Sequence, residues 1–191
     1  MPVSINGNTG VITGLAVGGL PNGSVTAANL ASGVRGIQMV DYWRVTSAVD
    51  AGSSSATFIE SNWSRVDTDS YGGIGTGMTE SSGFFTFPST GVYLILAQFS
   101  FTNSSSAANC YGYISTTQDS GSNFSDASLV LTRIADPNNN ASTNCNFVFD
   151  VTNTSTHGVK MKVYTNNSNT NLRGNTGRTE SGFTFVKLGD T

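Results

Sequence analysis

The chain contains 191 residues, of which only 11% are charged, and it carries a formal net charge of −3. Soluble domains usually have about 25% charged residues. Gly, Ser, Thr and Asn together account for 91 residues, whereas Leu occurs nine times and Lys three times. Because helix interiors favour Ala, Leu, Glu, Lys and Arg, this composition excludes an ordinary helical protein. It favours short strands joined by tight turns, in one domain with a short additional segment.

Charge and hydropathy also exclude two classes of partner. The nine Lys and Arg residues form no run, whereas nucleic-acid-binding proteins concentrate basic residues on one face. No stretch approaches the roughly 18 consecutive apolar residues of a membrane-spanning helix. The first ten residues lack the basic start and apolar core of a signal peptide, so we expect synthesis in the cytoplasm without export. In that reducing compartment Cys110 and Cys145 are expected to be free thiols.

The first 36 residues differ in composition from the rest. They contain no aromatic residue, a single charge at Arg35 and eight glycines, too little apolar surface for a core of their own. A disordered terminus is one interpretation. The regular spacing of aliphatic residues favours the other, an extended arm that packs on a partner. The residues predicted to anchor this arm are Val3, Ile5, Val11, Ile12, Leu15, Val17 and Leu20.

From Ile37 onward the pattern is typical of an all-β protein. Strand-like runs with β-branched and aromatic residues alternate with polar turn clusters, and no helical period is present. The most apolar run, 91–101, is predicted to lie in the middle of a sheet buried on both faces. The predicted strands are 37–47, 56–66, 82–88, 91–101, 108–116, 128–134, 145–152, 159–165 and 182–188. The expected fold is a β-sandwich or barrel over residues 37–191.

The aromatic residues are the predicted core. In the trimer that the resemblance described below implies, some of them would also form a second core between protomers, so that the apolar strands are buried twice. The set assigned to core and trimer packing is Phe85, Phe87, Tyr93, Phe99, Phe147, Phe149, Phe183 and Phe185.

No motif indicates catalysis or a resident cofactor. The single histidine, His157, is predicted to be an exposed turn residue, and two Cys with one His match no zinc pattern. Asp67 and Asp69 beside a tight turn form a weak calcium candidate. The GGIGTGM segment at 72–78 lacks the Lys-Ser/Thr of a phosphate-binding loop, so a glycine-kinked bend is predicted. The twelve Asp and Glu show no carboxylate-pair motif of a polysaccharide-degrading enzyme.

Two features point to ligand contacts. Tyr71, Tyr111 and Tyr113 are predicted to be partly exposed, and exposed aromatics on a polar surface suit sugar or protein contacts. Polar segments at 103–109, 119–126, 136–144 and 166–178 are predicted to be loops that could recognise a polysaccharide.

The segment FTFPSTGVYLILAQFSF at 85–101 resembles the globular heads of complement and tumour-necrosis-factor-like jelly rolls. In those heads an aromatic strand precedes a proline-glycine turn and a long, buried, tyrosine-containing strand. The ending ESGFTFVKL at 180–188 is similar to their last strand, which lies beside the first. The resemblance implies a homotrimeric jelly roll of about ten strands in two antiparallel sheets. No collagen-like glycine repeat precedes the head, so complement-like signalling is not implied.

The chain resembles jelly-roll virion proteins of tailed bacteriophages, particularly those of marine and cyanobacterial hosts, even more closely. The similar stretches are DYWRVT at 41–46, GIGTGMTESSGFFTFPSTGVY at 73–93, FTFVKLGD at 183–190 and the arm-like segment at 4–33. This resemblance implies a non-enzymatic virion protein whose arm, 1–36, joins it to other virion proteins. Two placements stay open: a capsid decoration or cement protein, and a tail-fibre knob or adaptor that binds host polysaccharide.

Overall fold

The computed structural model describes Ser4–Asn6, Val11–Thr13, residues 36–68 and residues 70–191. The chain divides into two compact units, residues 1–35 and 36–191. In the first unit, β1 (Ser4–Asn6) and β2 (Val11–Thr13) form an antiparallel pair in which Ile5 lies opposite Ile12. The other predicted arm anchors, Val3, Leu15, Val17 and Leu20, lie outside the described residues, and the anchoring role stays a prediction.

The second unit consists of two antiparallel sheets, and its described residues contain no helix. The seven-stranded sheet contains β3 (Met39–Val45), β4 (Val49–Asp50), β6 (Trp63–Arg65), β9 (Gly91–Asn103), β12 (Asn139–Val151), β14 (Thr170–Leu172) and β15 (Gly182–Gly189). The six-stranded sheet contains β5 (Thr57–Phe58), β7 (Thr79–Ser81), β8 (Phe84–Thr86), β10 (Ala108–Thr117), β11 (Ser125–Ile134) and β13 (Gly158–Thr165).

The predicted all-β class is confirmed, with thirteen strands in this unit instead of about ten. Each predicted strand coincides with one observed strand, except that 56–66 is split into β5 and β6 around a turn at Asn62, whose φ is +65°. The predicted loop at 136–144 is wrong for most of its length, because β12 already begins at Asn139. The side chains of Asn140, Ser142 and Asn144 share the outward face of a strand whose backbone pairs with β9.

Strand β9 lies in the middle of the seven-stranded sheet. It pairs with β12 along its whole length on one side, and with β15 and β14 on the other. The prediction that this strand is buried on both faces is wrong within one protomer. Tyr93, Ile95 and Phe99 point into the core, whereas Leu94 is only half-buried and Leu96 is 40% exposed on the outward face.

Aromatic rings are the largest side chains of the core between the sheets. Trp43, Phe85 and Phe183 from three different strands meet in edge-to-face contacts with ring centroids about 5.4 Å apart. Seven of the eight aromatic residues assigned to the core are buried, and Phe147 is half-buried against it. Gly112 of β10 makes room for Phe99, since a Cβ at that position would lie 2.6 Å from its ring. The core assignment of these side chains is therefore confirmed within one protomer, and their role in trimer packing stays a prediction.

The β7–β8 hairpin shows how the turn residues fit the fold. Ser82 and Gly83 link the two strands with φ of +51° and +72°, the combination that a two-residue hairpin turn with both φ positive requires. The described residues contain no helix long and apolar enough to cross a bilayer.

Candidate assembly and ligand-binding surfaces

A row of aliphatic side chains crosses the outward face of the seven-stranded sheet. Strand register places Val40 opposite Val186, Val186 opposite Leu94, and Leu94 opposite Val148. An isolated bridge from Val40 adds Ile74 at the end of the row. Ile74 and Val148 are 45% and 53% exposed, and the three between them are half-buried. We call these five residues the aliphatic row.

The same face becomes polar beyond the aliphatic row. Leu96 lies between Thr184 and Asn146, and Gln98 lies between Gly182 and Asn144. Farther along, Ser142 donates a hydrogen bond to the Ser100 hydroxyl at 3.0 Å. Apolar side chains therefore concentrate at one end of the face, as expected of a contact patch with a polar rim.

The outward face of the six-stranded sheet carries the tyrosines predicted to contact ligands. Tyr111 lies between Leu131 and Tyr164 in the strand register, and its ring centroid is 5.5 Å from that of Tyr164. Tyr113 lies between Leu129 and Lys162. We call Tyr111, Tyr113 and Tyr164 the tyrosine face; its three rings are half-buried.

Lysine side chains cover part of the tyrosine face. Lys162 Nζ lies 4.7 Å from the centre of the Tyr113 ring and forms an ion pair with Asp126 at 2.5 Å. Lys160 pairs with Glu60 and lies over the ring of Phe58. Burial, and next the negative charge of Asp126, raise the pKa of the Tyr113 phenol. Lysine stems and cation–π contacts therefore cover much of the apolar surface of this face within one protomer.

Two leucines on the edge strand β11 remain uncovered. Leu129 and Leu131 are 57% and 55% exposed, more than any other described large apolar residue except Ile37. They flank the tyrosine face at the edge of the six-stranded sheet. Exposed leucines on an edge strand are a liability unless another surface covers them.

Tyr71 lies apart from the other two predicted ligand-facing tyrosines. Its hydroxyl accepts a hydrogen bond from the Tyr42 amide at 3.0 Å and donates toward Asp41 Oδ1 at 3.3 Å. Burial, and next the negative charge of Asp41, raise the pKa of this phenol. Tyr71 is therefore held by its hydroxyl against β3, on the face opposite to Tyr111 and Tyr113.

Asp41 organises this region, although it is only 2% exposed. Its carboxylate accepts hydrogen bonds from the Trp43 indole at 2.8 Å and the Met78 amide at 2.7 Å, and pairs with the Arg65 guanidinium at 2.9 Å. Arg65 in turn lies 4.7 Å above the Trp43 ring. The predicted bend at 72–78 is therefore fixed to β3 through a buried carboxylate, with Gly75 at φ +67°.

A cavity of about 350 Å³ opens beside this network. Its floor contains Arg44, only 4% exposed, whose Nη1 donates to Thr68 at 3.0 Å and whose Nη2 pairs with Asp67 at 3.1 Å. The buried Arg44 Nε has no hydrogen-bond partner. The complete lining is Tyr42, Arg44, Val66, Thr68, Tyr71, Arg178 and Thr179. Among these residues, sequence reasoning identified Tyr71 individually and included Arg178 only as the end of the predicted recognition segment 166–178.

Of the two residues of the calcium candidate, Asp67 is described by the structure, and its contacts do not support a calcium site. The Asp67 carboxylate pairs with Arg44, and its side chain is 77% exposed. Asp69 lies outside the described residues. Among residues 36–68 and 70–191, no group of three or more His, Cys, Asp or Glu side chains could hold a metal ion.

The prediction that His157 is an exposed turn residue is wrong. It is only 7% exposed, because its ring stacks on Phe149 at 5.4 Å and contacts the Thr156 hydroxyl at 3.0 Å. Cys110 and Cys145 are free and buried. Burial raises the pKa of the Cys110 thiol to about 11 and also raises the pKa of Cys145.

The predicted recognition loops lie at two ends of the sandwich. The 103–109 and 166–169 loops are joined at one end by hydrogen bonds between Asn and Ser side chains, including Asn167 Nδ2 to Ser106 O at 3.1 Å. The 119–126 segment lies at the other end of β10. There Thr117 and Asn123 donate to the Asp119 carboxylate at 2.6 and 2.7 Å, and these bonds lower its pKa to about 2. These segments do not form one surface.

Comparisons with known proteins identify the fold. No protein-family profile and no curated protein matches the sequence. Among solved structures, murine APRIL is similar with a TM-score of 0.54 and 16% sequence identity, over 78% of this chain and 98% of that one. Eiger TNF from S. frugiperda is similar with a TM-score of 0.53 and 14% identity, over 82% of this chain and 96% of that one. The predicted jelly roll is confirmed: the chain has a tumour-necrosis-factor-like jelly-roll fold.

Proposed function

We propose that this chain is a non-enzymatic structural protein of a bacteriophage particle that assembles as a homotrimer and decorates or cements the capsid. The aliphatic row is the observation that carries the proposal. It presents five aliphatic side chains across the strands of one sheet, and no described side chain of the same protomer covers its exposed ends. A second copy of the chain is the partner that this surface fits best.

The protomer carries the two patches that a cyclic trimer requires. In a ring, one patch of each subunit contacts a different patch of the next, so every subunit needs both. The aliphatic row supplies one patch, and Leu129 and Leu131 on β11 supply the other. Contact between the two patches would bury apolar surface, which is worth about 25 cal/mol per Å² removed from water. It would also cover the exposed edge of β11.

The low charge of the chain supports close assembly. Only 11% of the residues are charged, and the polar part of the outward face next to the aliphatic row consists of Thr, Ser, Asn, Gln and Gly. Such neutral surfaces can approach without the cost of desolvating ions. Repeated copies on a symmetric particle would then convert weak single contacts into tight attachment.

The bacteriophage setting is supported by the sequence resemblance. We propose that residues 1–36 attach the trimer to other virion proteins, by adding strands or aliphatic contacts to a neighbouring subunit. Deleting residues 1–36 should leave a trimer that no longer joins particles. Incorporation of the truncated protein at the full-length level would contradict this role for the arm.

A tail-fibre knob or adaptor that binds host polysaccharide is the second candidate function. The cavity lined by Tyr42, Tyr71, Arg44 and Arg178 favours it, because aromatic and polar side chains together are typical of sugar-sized sites. The number of copies per particle separates the two placements. Hundreds of copies would support capsid decoration, and tens or fewer would support a tail location.

A further inference from the structure

We infer that the cavity between Arg44 and Arg178 binds the carboxylate of an acidic, uronic-acid-type sugar unit, with the rings of Tyr42 and Tyr71 contacting the sugar. The inference goes beyond assembly, and it does not depend on where the trimer lies in the particle. For the polysaccharide-binding alternative it also specifies the ligand class and the site.

The cations of the cavity are fixed in position. The Arg44 guanidinium is anchored through Nη1 and Nη2 to Thr68 and Asp67, while Nε lacks a partner. Arg178 is anchored differently: its Nε and Nη2 both reach Glu180, at 3.0 and 2.8 Å, while its side chain stays 70% exposed. An arginine carries five N–H donors in a planar fork, so anchoring leaves donors of Arg178 available for a ligand carboxylate.

The local charge favours an anion. Asp67 forms an ion pair with Arg44, and Glu180 forms ion pairs with both Arg178 and Arg173. Among the residues that the structure describes, the three arginines of these ion pairs exceed their two carboxylate partners by one unit of positive charge, in a chain whose overall charge is −3. A carboxylate entering the cavity would neutralise this excess.

The tyrosine rings supply the second element of sugar recognition. The Tyr42 and Tyr71 ring centroids are 6.5 Å apart, with the ring planes inclined at 55°. Because the Tyr71 hydroxyl is held by the Tyr42 amide and Asp41, its ring is oriented before any ligand arrives. Such prior orientation reduces the entropy lost on binding. The Thr68 and Thr179 side chains add hydroxyl groups that can bond to sugar hydroxyls.

The size of the cavity limits the ligand. About 350 Å³ lies at the lower end of the range for small-molecule sites. It therefore suits one sugar unit of a longer polymer and not a whole oligosaccharide. We expect weak binding by a single unit, and tighter binding by a polymer that reaches several cavities of one trimer.

The test compares two sugars that differ only in the charged group. Saturation-transfer NMR on the full chain is performed with methyl glucuronide and with methyl glucoside, followed by titration with uronic-acid oligomers. We expect binding of the glucuronide at least tenfold tighter than that of the glucoside, and weaker binding as salt is raised. Equal binding of both sugars, or no binding of either, would overturn the inference.

Paired cation variants locate the site. Arg178→Gln removes the exposed cation of the cavity and should weaken glucuronide binding at least fivefold. Lys160→Gln removes a cation from β13 on the other sheet and should leave binding unchanged. Equal effects of the two substitutions would overturn the assignment, as would binding of a glutamate-rich peptide without binding of the glucuronide. Because both variants should remain trimeric and enter particles normally, failure of sugar binding is distinguishable from failure of the proposed function.

Discussion

The two outward faces of the sandwich differ in whether other side chains of the same protomer cover their apolar side chains. On the six-stranded sheet, Lys162 covers Tyr113 and Lys160 covers Phe58, and each lysine is paired with a carboxylate. On the seven-stranded sheet, the aliphatic row has no lysine or arginine over it among the described contacts. The tyrosine face is largely covered within one chain, apart from Leu129 and Leu131 on the edge strand, whereas the aliphatic row is the surface for which we propose a partner. The comparison teaches that exposed apolar area alone does not identify an assembly surface: what matters is whether the protomer covers it.

The strongest test of this comparison is Val148→Asp in the aliphatic row. A charge at this exposed end would have to be desolvated in the trimer, so we expect loss of the trimer with little change in the stability of the protomer. Asn144→Asp, on the same strand and face but among polar neighbours, is the matched control and should remain trimeric. The measurement is light-scattering mass after size exclusion. A Val148→Asp protein that stays trimeric would place the interface elsewhere.

Asp41→Ala tests the buried network that supports the seven-stranded sheet. The substitution leaves the Trp43 indole, the Met78 amide and Arg65 without their shared acceptor. We expect a loss of about 2–4 kcal/mol in the free energy of unfolding, because two buried donors lose their acceptor, whereas the half-exposed Arg65 can be hydrated. Chemical denaturation measures this quantity. A loss below about 1 kcal/mol would show that the bend at 72–78 does not depend on Asp41.

Lys162→Ala tests whether the tyrosine face is stabilised by the lysine that covers it within the same protomer. It removes a cation–π contact with Tyr113 and a partly exposed ion pair with Asp126. Such interactions contribute about 1 kcal/mol together, so we expect a small loss of stability and an unchanged trimer. Dissociation of the trimer in this variant would mean that the tyrosine face takes part in assembly beyond Leu129 and Leu131, and the contrast between the faces would fail.

The smallest expected effect is the pH dependence of Asp119. Hydrogen bonds from Thr117 and Asn123 hold its pKa at about 2, below the value of about 3.9 for a free aspartate. The resulting stabilisation is complete above about pH 4 and is lost as the pH falls through about 2. The difference in thermal midpoint between the wild type and Asp119→Asn should therefore narrow from pH 5 to pH 2. A constant difference over this range would contradict the assignment.

Much of the fold follows from local sequence patterns. Alternating runs such as 159–165 and the aromatic run before Pro88 locate their strands because burial on one face repeats every second residue. The start of β12 could not be predicted in this way, because its outward residues are polar and its inner residues are only Asn139, Ala141 and Thr143. The sequence of such a segment predicts a turn, and only its pairing with β9 shows that it is a strand.

The candidate sites were predicted less completely. Tyr71, Tyr111 and Tyr113 are identifiable as aromatics among polar neighbours, but nothing in the sequence shows that they lie on opposite faces. The members of the aliphatic row occupy five separate strands or loops, and only the strand register brings them together. The burial of Arg44 could not be predicted either, because nothing in the sequence around a strand arginine indicates that Thr68 and Asp67 will contact it.

The central claim is that the aliphatic row is covered by another copy of the same chain. The most direct measurement is native mass spectrometry of the full-length protein. The account predicts a species of three times the 19.9 kDa chain mass that persists on dilution to low micromolar concentration. A folded monomer under the same conditions would contradict it.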